Sequence, residues 1–395
     1  MFFTDLFVGS VERALAGLLR VQGAEKLLGR YDPRLPPGKV HRLSAIAAAE
    51  ALSRRAGVSN DRIYAVFDPF YGRAMAQYAR RNRSDILAYS SYAWEAFRAS
   101  YTHAPRKLLF QFHPHFKLEN RILADDLRAS ADMGVSFSGK MESGAAKPVG
   151  ARIKGDSAWQ LADHVVCASS FSKRSLVEGG ADPAKITVIP YGIDTPVLGH
   201  ESLESRRARF HVLFVGSGLQ RKGLHHLLLA WRRARLPTGA RLTVASRVVD
   251  PALVSLLDET AGVDFRHGVT ADELGELYGS ATLFAMPSLV EGFGQVYLES
   301  LSHGLPVLGT ANTCLPDIGG EEDGIFLVPP GDVDLLAARL SQLALLLPSI
   351  PDFNRRAKVC AARFSWERFR ASMKDVVHAV SARTTVADTT VTHAR

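Results

Sequence analysis

Short apolar runs recur along the chain, separated by longer stretches in which apolar residues return every three or four positions. Arg62–Asp68 (RIYAVFD), Asp85–Ser91 (DILAYSS), Lys107–His113 (KLLFQFH), His164–Ser169 (HVVCAS) and Lys185–Pro190 (KITVIP) read as a first series of strands. A second series follows at His211–Gly216, Arg241–Ser246, Val263–Gly268, Ala281–Met286, Leu305–Thr310 and Gly324–Val328. Between them, Leu224, Leu227, Leu228 and Trp231 fall at i, i+3, i+4 and i+7 and predict a one-faced helix, as do Leu336, Leu340, Leu343 and Leu347. Strands alternating with helices imply parallel sheets covered on both faces. The two series are parted by a polar, aperiodic linker at 196–209, within DTPVLGHESLESRRARF (Asp194–Phe210). The expected fold is therefore α/β, with two Rossmann-like, doubly wound domains at 1–195 and 210–365 facing across a cleft. Residues 381–395, Thr-rich and poor in apolar residues, read as a disordered tail.

The length of 395 residues agrees with two domains. A hydrophobic share of 47% and a charged share of 22% are those of a globular chain with a sizeable core. Cys167, Cys314 and Cys360 are too far apart for a disulfide framework or a CxxC, which points to a reducing cytoplasm. No apolar run reaches about 18 residues, and Met1–Ser10 lacks the basic start of a signal peptide. The net charge of +8 is unevenly spread: residues 1–200 hold 27 Lys+Arg against 19 Asp+Glu, which leaves 48 − 27 = 21 and 40 − 19 = 21 for the rest. A basic first half favours an anionic partner, such as the inner face of a membrane. Nucleic acid is not expected, since no recognition motif and no aromatic-interleaved basic stripe accompanies the charge.

The chemistry gathers at Pro287–Val307, PSLVEGFGQVYLESLSHGLPV. It reads as a strand exit, a loop carrying Glu291, Gly292, Phe293 and Gly294, a short helix, a stop at Gly304 and a new strand. The glycines let backbone approach a ligand, and the free N–H groups of the helix start suit a phosphate. Glu291 and Glu299 stand on the order of 10 Å apart at ~1.5 Å per helical residue, with the amides between them. Carboxylates flanking an anion site suit hydroxyls on either side of a diphosphate, as in a nucleotide-sugar. Earlier, the strand Val212–Gly216 runs into Ser217–Gly223, SGLQRKG, where Arg221 and Lys222 could neutralise such a diphosphate. Gly216, Ser217, Gly218 and Arg247 stand at the exits of neighbouring predicted strands, where ligands bind in doubly wound sheets.

Glu291-x7-Glu299 within PSLVEGFGQVYLES, followed by GLPV, resembles the signature of retaining glycosyltransferases of family 4, which have the GT-B fold. The resemblance extends over VVCASSFSKRSLVEGGADPAKITVIPYGID, TANTCLPD, GIFLVPPGD and FSW. It implies that Glu291 contacts the donor sugar, that Glu299 binds the ribose, and that Arg221 and Lys222 bind the diphosphate. Gly216, Ser217, Gly218, Arg247, Gly292, Phe293 and Gly294 complete the donor site. Where the family often has a basic residue after the strand glycine, this chain has Ser217, and Arg221 takes that part. A helix at 366–380 would cross back to the first domain. MFFTDLF resembles the second strand of such a domain, so either the start lies too late or the first strand and its glycine-rich loop are missing. His113, in QFHPHFK at a strand exit, is the candidate facing the reacting sugar; a satisfied surface histidine is the alternative. His225 and His226, on the outer side of their helix, and His303 read as structural. Asp332-x-Asp334 reads as a helix cap and not a metal site; no metal and no cofactor is expected.

The implied activity is metal-independent transfer, with retention, of a sugar from a UDP- or GDP-linked donor to a glycan or lipid-linked acceptor in cell-surface polysaccharide or lipopolysaccharide biosynthesis. The expected place is the cytoplasm, at the inner face of the membrane. The rival readings are a catalytically silent nucleotide-sugar-binding scaffold and a nucleotide-sugar epimerase.

Overall fold

The structure, a computed structural model, describes residues 2–4, 40–137, 157–194, 209–350 and 352–382. The chain divides into two units, Met1–Leu109 with Pro148–Asp163, and Phe110–Lys147 with His164–Arg395. In the first unit β1 (Phe2–Thr4) pairs in parallel with β2 (Val40–Arg42). Then come α1 (Ser44–Arg55), α2 (Asn60–Asn82), β3 (Ile86–Tyr89) and α3 (Ser90–Arg98). The expected strand Arg62–Asp68 is the start of α2 instead. A five-residue apolar run cannot separate a strand from a buried helix segment. Over the longer span, Ile63, Tyr71, Ala76 and Ala79 are buried and Phe67 half-buried, a helical spacing. Gly72 lets α3 come close, because a Cβ there would lie 2.8 Å from the Tyr92 carbonyl oxygen.

β4 (Lys107–Gln111) lies where the units divide. The second unit continues with α4 (Phe116–Asp132), β5 (His164–Cys167), α5 (Ser170–Glu178) and β6 (Ile186–Val188). One sheet has the order β3-β4-β5-β6, with β5 and β6 parallel. The second sheet is built from β7 (His211–Val215), β8 (Arg241–Ser246), β9 (Val263–His267), β10 (Leu283–Ala285), β11 (Val307–Thr310) and β12 (Ile325–Val328). Its order is β12-β11-β10-β7-β8-β9, all parallel, with β7 between β10 and β8. The turns after β7, β8, β10 and β11 therefore emerge side by side at the carboxyl edge, where a doubly wound sheet holds its ligand.

The covering helices are α6 (Leu224–Arg233), α7 (Val254–Glu259), α8 (Ala271–Ser280), α9 (Gln295–Ser302), α10 (Leu315–Ile318), α11 (Val333–Ser349), α12 (Phe353–Ala362) and α13 (Trp366–Ala382). The predicted stripe of α6 is buried against the sheet, with Leu224, Leu227 and Leu228 fully enclosed. Each such side chain contributes about 1.5–3 kcal/mol. Asp332 caps α11, its Oδ1 accepting from Leu335 N at 2.9 Å. The IPYGID and FSW segments meet: Ile193 N donates to Phe364 O at 3.0 Å. A Cβ on Gly192 would lie 2.1 Å from Trp366 N. Phe369 of α13 rests its ring on Phe110 and Tyr191. Ser381 and Ala382 belong to α13; the rest of the expected tail, and the linker apart from Arg209, lie outside the described residues. No single helix among the described residues is long and apolar enough to cross a membrane.

Candidate functional site

The turn after β7 is stitched to the turn after β8. Gly218 N donates to Val248 O at 2.7 Å and to Ser246 Oγ at 3.1 Å, and Asp250 N donates back to Gly218 O at 2.8 Å. Gln220–Lys222 then make one 3-10 turn, and Gly223 starts α6 with φ +69°. Only glycine fits there, because a Cβ would lie 2.1 Å from Pro287 O. The positive φ would strain any other residue as well. That contact brings the loop after β10 against the Arg221–Lys222 turn.

The loop from Pro287 to Gly294 is held from three sides. Leu289 N donates to Arg221 O at 2.9 Å, and Arg221 Nη1 donates to Val290 O at 3.2 Å. From the β11 exit, Thr310 Oγ1 donates to Ser288 O at 2.6 Å and Asn312 Nδ2 to Leu289 O at 2.9 Å. Asn312 O in turn accepts from Glu291 N at 2.9 Å. From α5, Ser169 Oγ and Ser172 Oγ donate to Gly292 O at 2.6 and 3.2 Å. A Cβ on Gly292 would lie 2.0 Å from Phe112 O.

Glu291 is thereby fixed, 6% exposed, between two cations. Its Oε1 lies 2.9 Å from Arg221 Nη1 and 2.5 Å from Lys222 Nζ. Burial by itself would raise the carboxyl's pKa, but the two positive charges outweigh it and hold it below the ordinary value. After Gly294, at φ +88°, α9 begins at Gln295. The first N–H groups of a helix have no partner within it and face outward from its start. Gln295 Nε2 ties this helix start to Gly192 O at 2.7 Å. On α9, Glu299 is half-buried and accepts from Tyr278 Oη at 3.2 Å. Burial raises its carboxyl pKa, an effect the Tyr278 hydroxyl only partly offsets.

The structure thus brings together Arg221, Lys222, Glu291, Gly292 and Gly294. His113 is part of the same surroundings: its Cα lies 3.0 Å from where a Gly292 Cβ would be. Its half-buried ring makes a hydrogen bond between Nδ1 and Pro114 O at 2.9 Å. Gly216 and Ser217 are half-buried at the β7 exit, and Arg247 is exposed at the β8 exit. Phe293 turns inward, 3% exposed, with its ring edge-on to Tyr191, so only its backbone is left to meet a ligand.

His225 and His226 are not on an outer face. They are 0% and 1% exposed and lie beside the Asp126 carboxylate of α4. The pattern of α6 shows which side meets the sheet, but not that α4 covers the other. Asp126, Gln220, Ser172 and Asn312 carry no local signal either, since each acts on residues far away in sequence. Ser169 is the exception, because its side chain also caps α5 by accepting from Ser172 N, which a serine ahead of a helical run foretells.

Residues 209–345 match the family described as "Glycosyl transferases group 1", and residues 39–196 match "Glycosyltransferase Family 4". The chain belongs to glycosyltransferase family 4, and its fold is GT-B. Sucrose-phosphate synthase from Thermosynechococcus elongatus superposes with a TM-score of 0.66 at 17% identity, over 96% of each chain. The HepE protein of Anabaena, solved with UDP, does so at 0.60 and 16%, over 95% of this chain and 92% of that one. In sequence, the chain is 28% identical over 232 residues to an MMP alpha-(1->4)-mannosyltransferase of Mycolicibacterium hassiacum, covering 57% of this chain and 56% of the relative. It is 30% identical over 295 residues to a D-inositol 3-phosphate glycosyltransferase of Kineococcus radiotolerans, covering 65% and 62%. The chain spans about half the length of the curated relatives it matches.

Proposed function

We propose that this protein transfers a sugar from a UDP- or GDP-linked donor to a glycan or lipid-linked acceptor, with retention and without a metal, in cell-surface polysaccharide or lipopolysaccharide synthesis. The observation that carries the reading is the convergence of Arg221 and Lys222 on Glu291 at the exits of the adjacent strands β7 and β10. A diphosphate entering here takes over the two cations and leaves Glu291 to the hydroxyls of the sugar. As the sugar–phosphate bond breaks, Arg221 and Lys222 stabilise the charge growing on the leaving group; a donor of this kind supplies about 3–4 kcal/mol. They thereby supply the positive charge that a divalent cation supplies in other sites. Acceptor attack occurs on the face from which the diphosphate departs, and the departing phosphate takes the acceptor proton. Glu299 holds the ribose, and His113 faces the reacting sugar. The names of the relatives support sugar transfer, and the UDP and UDP-glucose held by HepE support a uridine donor.

The test is calorimetric titration of UDP and GDP into the wild type and into Glu299→Ala. One nucleotide is expected to bind at micromolar levels, with affinity falling about tenfold or more when the ribose contact is removed. An unaltered affinity in the variant would refute the ribose role, and no binding of either nucleotide would refute the donor reading.

A further inference from the structure

Helix α4 touches both loops of the site. Leu123, with Leu118 and Ile122 beside it, packs on Leu289 and Val290, directly ahead of Glu291. Almost one turn later comes Asp126, whose carboxylate meets three side chains from a single short segment. Its Oδ2 accepts from Gln220 Nε2 at 2.7 Å and lies 3.3 Å from His225 Nε2, while its Oδ1 lies 2.9 Å from His226 Nε2. Ser130 Oγ adds a donor at 3.3 Å from the same helix, and Gln220 Nε2 also reaches Leu123 O at 2.8 Å. Gln220, His225 and His226 are all buried. In sequence they bracket Arg221, Lys222 and Gly223, so Asp126 grips the cation-bearing turn on both sides.

We propose that Asp126 is a positioning residue, clamping the Gln220–His226 segment so that Arg221 and Lys222 are aimed at the diphosphate site. The proposal rests on the reading of those two cations as the diphosphate cradle. Asp126 itself touches no substrate. Its role follows from where the ends of the segment are tied: Glu291 and Val290 hold the tips of Arg221 and Lys222 on one side, and Asp126 holds the flanking Gln220, His225 and His226 on the other. The carboxylate is suited to the task. Burial would raise its pKa, but the two imidazoles beside it more than offset this and keep it ionised. It also lies by the first turn of α6, where an anion is favoured.

Asp126, His225 and His226 could instead hold a metal ion, since their ligand atoms all lie within 4.8 Å of one another. The arrangement favours hydrogen bonds. Metal-bound imidazoles are oriented through their second nitrogen, and Nδ1 of His225 and of His226 has no partner here; Nε2 of His226 lies 2.9 Å from Asp126 Oδ1 but off hydrogen-bonding geometry. Asp126 already accepts from Gln220 and Ser130. Burial pushes the pKa of His225 down to about 4, so at neutral pH it is uncharged, with its proton on Nε2 toward the carboxylate.

The experiment compares the full chain with Asp126→Asn by amide hydrogen exchange and by calorimetry with pyrophosphate. Exchange over 219–228 is expected to accelerate about tenfold or more, while Ile325–Val328, the edge strand of the second sheet, is unaffected. Unchanged exchange, or equal acceleration in both segments, overturns the proposal. In the calorimetric cycle Asp126→Asn is expected to weaken pyrophosphate about tenfold in the wild-type background and clearly less in Lys222→Ala, because part of its effect passes through that cation and the rest through Arg221. Additive losses overturn it, as does about one equivalent of zinc that purifies with the wild type and is lost in Asp126→Asn. If the wild type binds neither nucleotide nor pyrophosphate, the donor reading fails by itself, and the exchange comparison still decides whether Asp126 clamps the turn.

Discussion

Glu291 shows how the cost of burying a charge is met at a single position. A carboxylate at 6% exposure loses most of its hydration, and Arg221 and Lys222 on one of its oxygens compensate. Arg221 keeps 29% of its side chain in solvent and Lys222 15%, so the pair is worth less than a fully enclosed one. Replacing Glu291 by Gln leaves both cations unmatched and is expected to lower the unfolding free energy at neutral pH by about 1–3 kcal/mol, measured in urea. The sign with pH follows from the lowered pKa of the folded state. The stabilisation is complete above the unfolded value of 4.5 and disappears as pH falls through the lower folded value. Wild type and Glu291→Gln should therefore converge in strongly acidic urea titrations and differ most at neutrality. A constant gap through that range would mean that the ion pairs contribute nothing. That Glu291 and Glu299 sit on one loop-and-helix unit could be read from the chain. The contact of Arg221 and Lys222 with Glu291 could not, because it depends on β7 and β10 being neighbours.

At the scale of elements, the predictions held where one pattern meets one environment. The strands of the second sheet other than the edge strand β9, and the Leu224 and Leu336 helices, bury the residues their spacing selects. They failed where the pattern was short or the surroundings two-sided: RIYAVFD is helical, and α6 is enclosed on the face carrying His225 and His226. The glycines of the loop around Glu291 were legible as points of close approach, but what they approach was not. Gly292→Ala would place a Cβ 2.0 Å from Phe112 O, and backbone cannot yield as a flexible side chain can. The loop that carries Glu291 must then shift. Transfer activity is expected to fall about a hundredfold, in line with the loss caused by a displacement of ~1 Å at a reacting site. Steady-state rates with the donor identified by calorimetry check this, and near wild-type turnover would show that the loop tolerates the shift.

For the whole molecule, the uneven charge is the feature with a consequence. All of the +8 excess lies in residues 1–200. On α2, Arg62, Arg73 and Arg81 are exposed beside Val66 and Phe70, which are 55% and 44% exposed. We propose that this helix meets an anionic membrane, where basic residues contribute about 1 kcal/mol each near the surface. The chain is expected to sediment with vesicles containing phosphatidylglycerol at low salt and to be released by about 0.5 M salt, where screening acts over a few ångströms. Replacing the three arginines by Ala should weaken sedimentation, and no binding to anionic vesicles at low salt would rule this out.

Apolar periodicity, glycine placement and the EGFGQVYLES stretch are local properties, and they suffice for the α/β class, most of the two strand series and the loop carrying Glu291. Each depends on the chain's relation to its immediate neighbours, which the order of residues fully specifies. Strand order, the second buried face of α6, the serines on Gly292 and the grip of Asp126 on the cation-bearing turn are long-range. Asp126 and Gln220 are separated by 94 residues, and Ser169 and Gly292 by 123. Packing alone decides such contacts, because they stabilise nothing until the intervening elements have folded against each other.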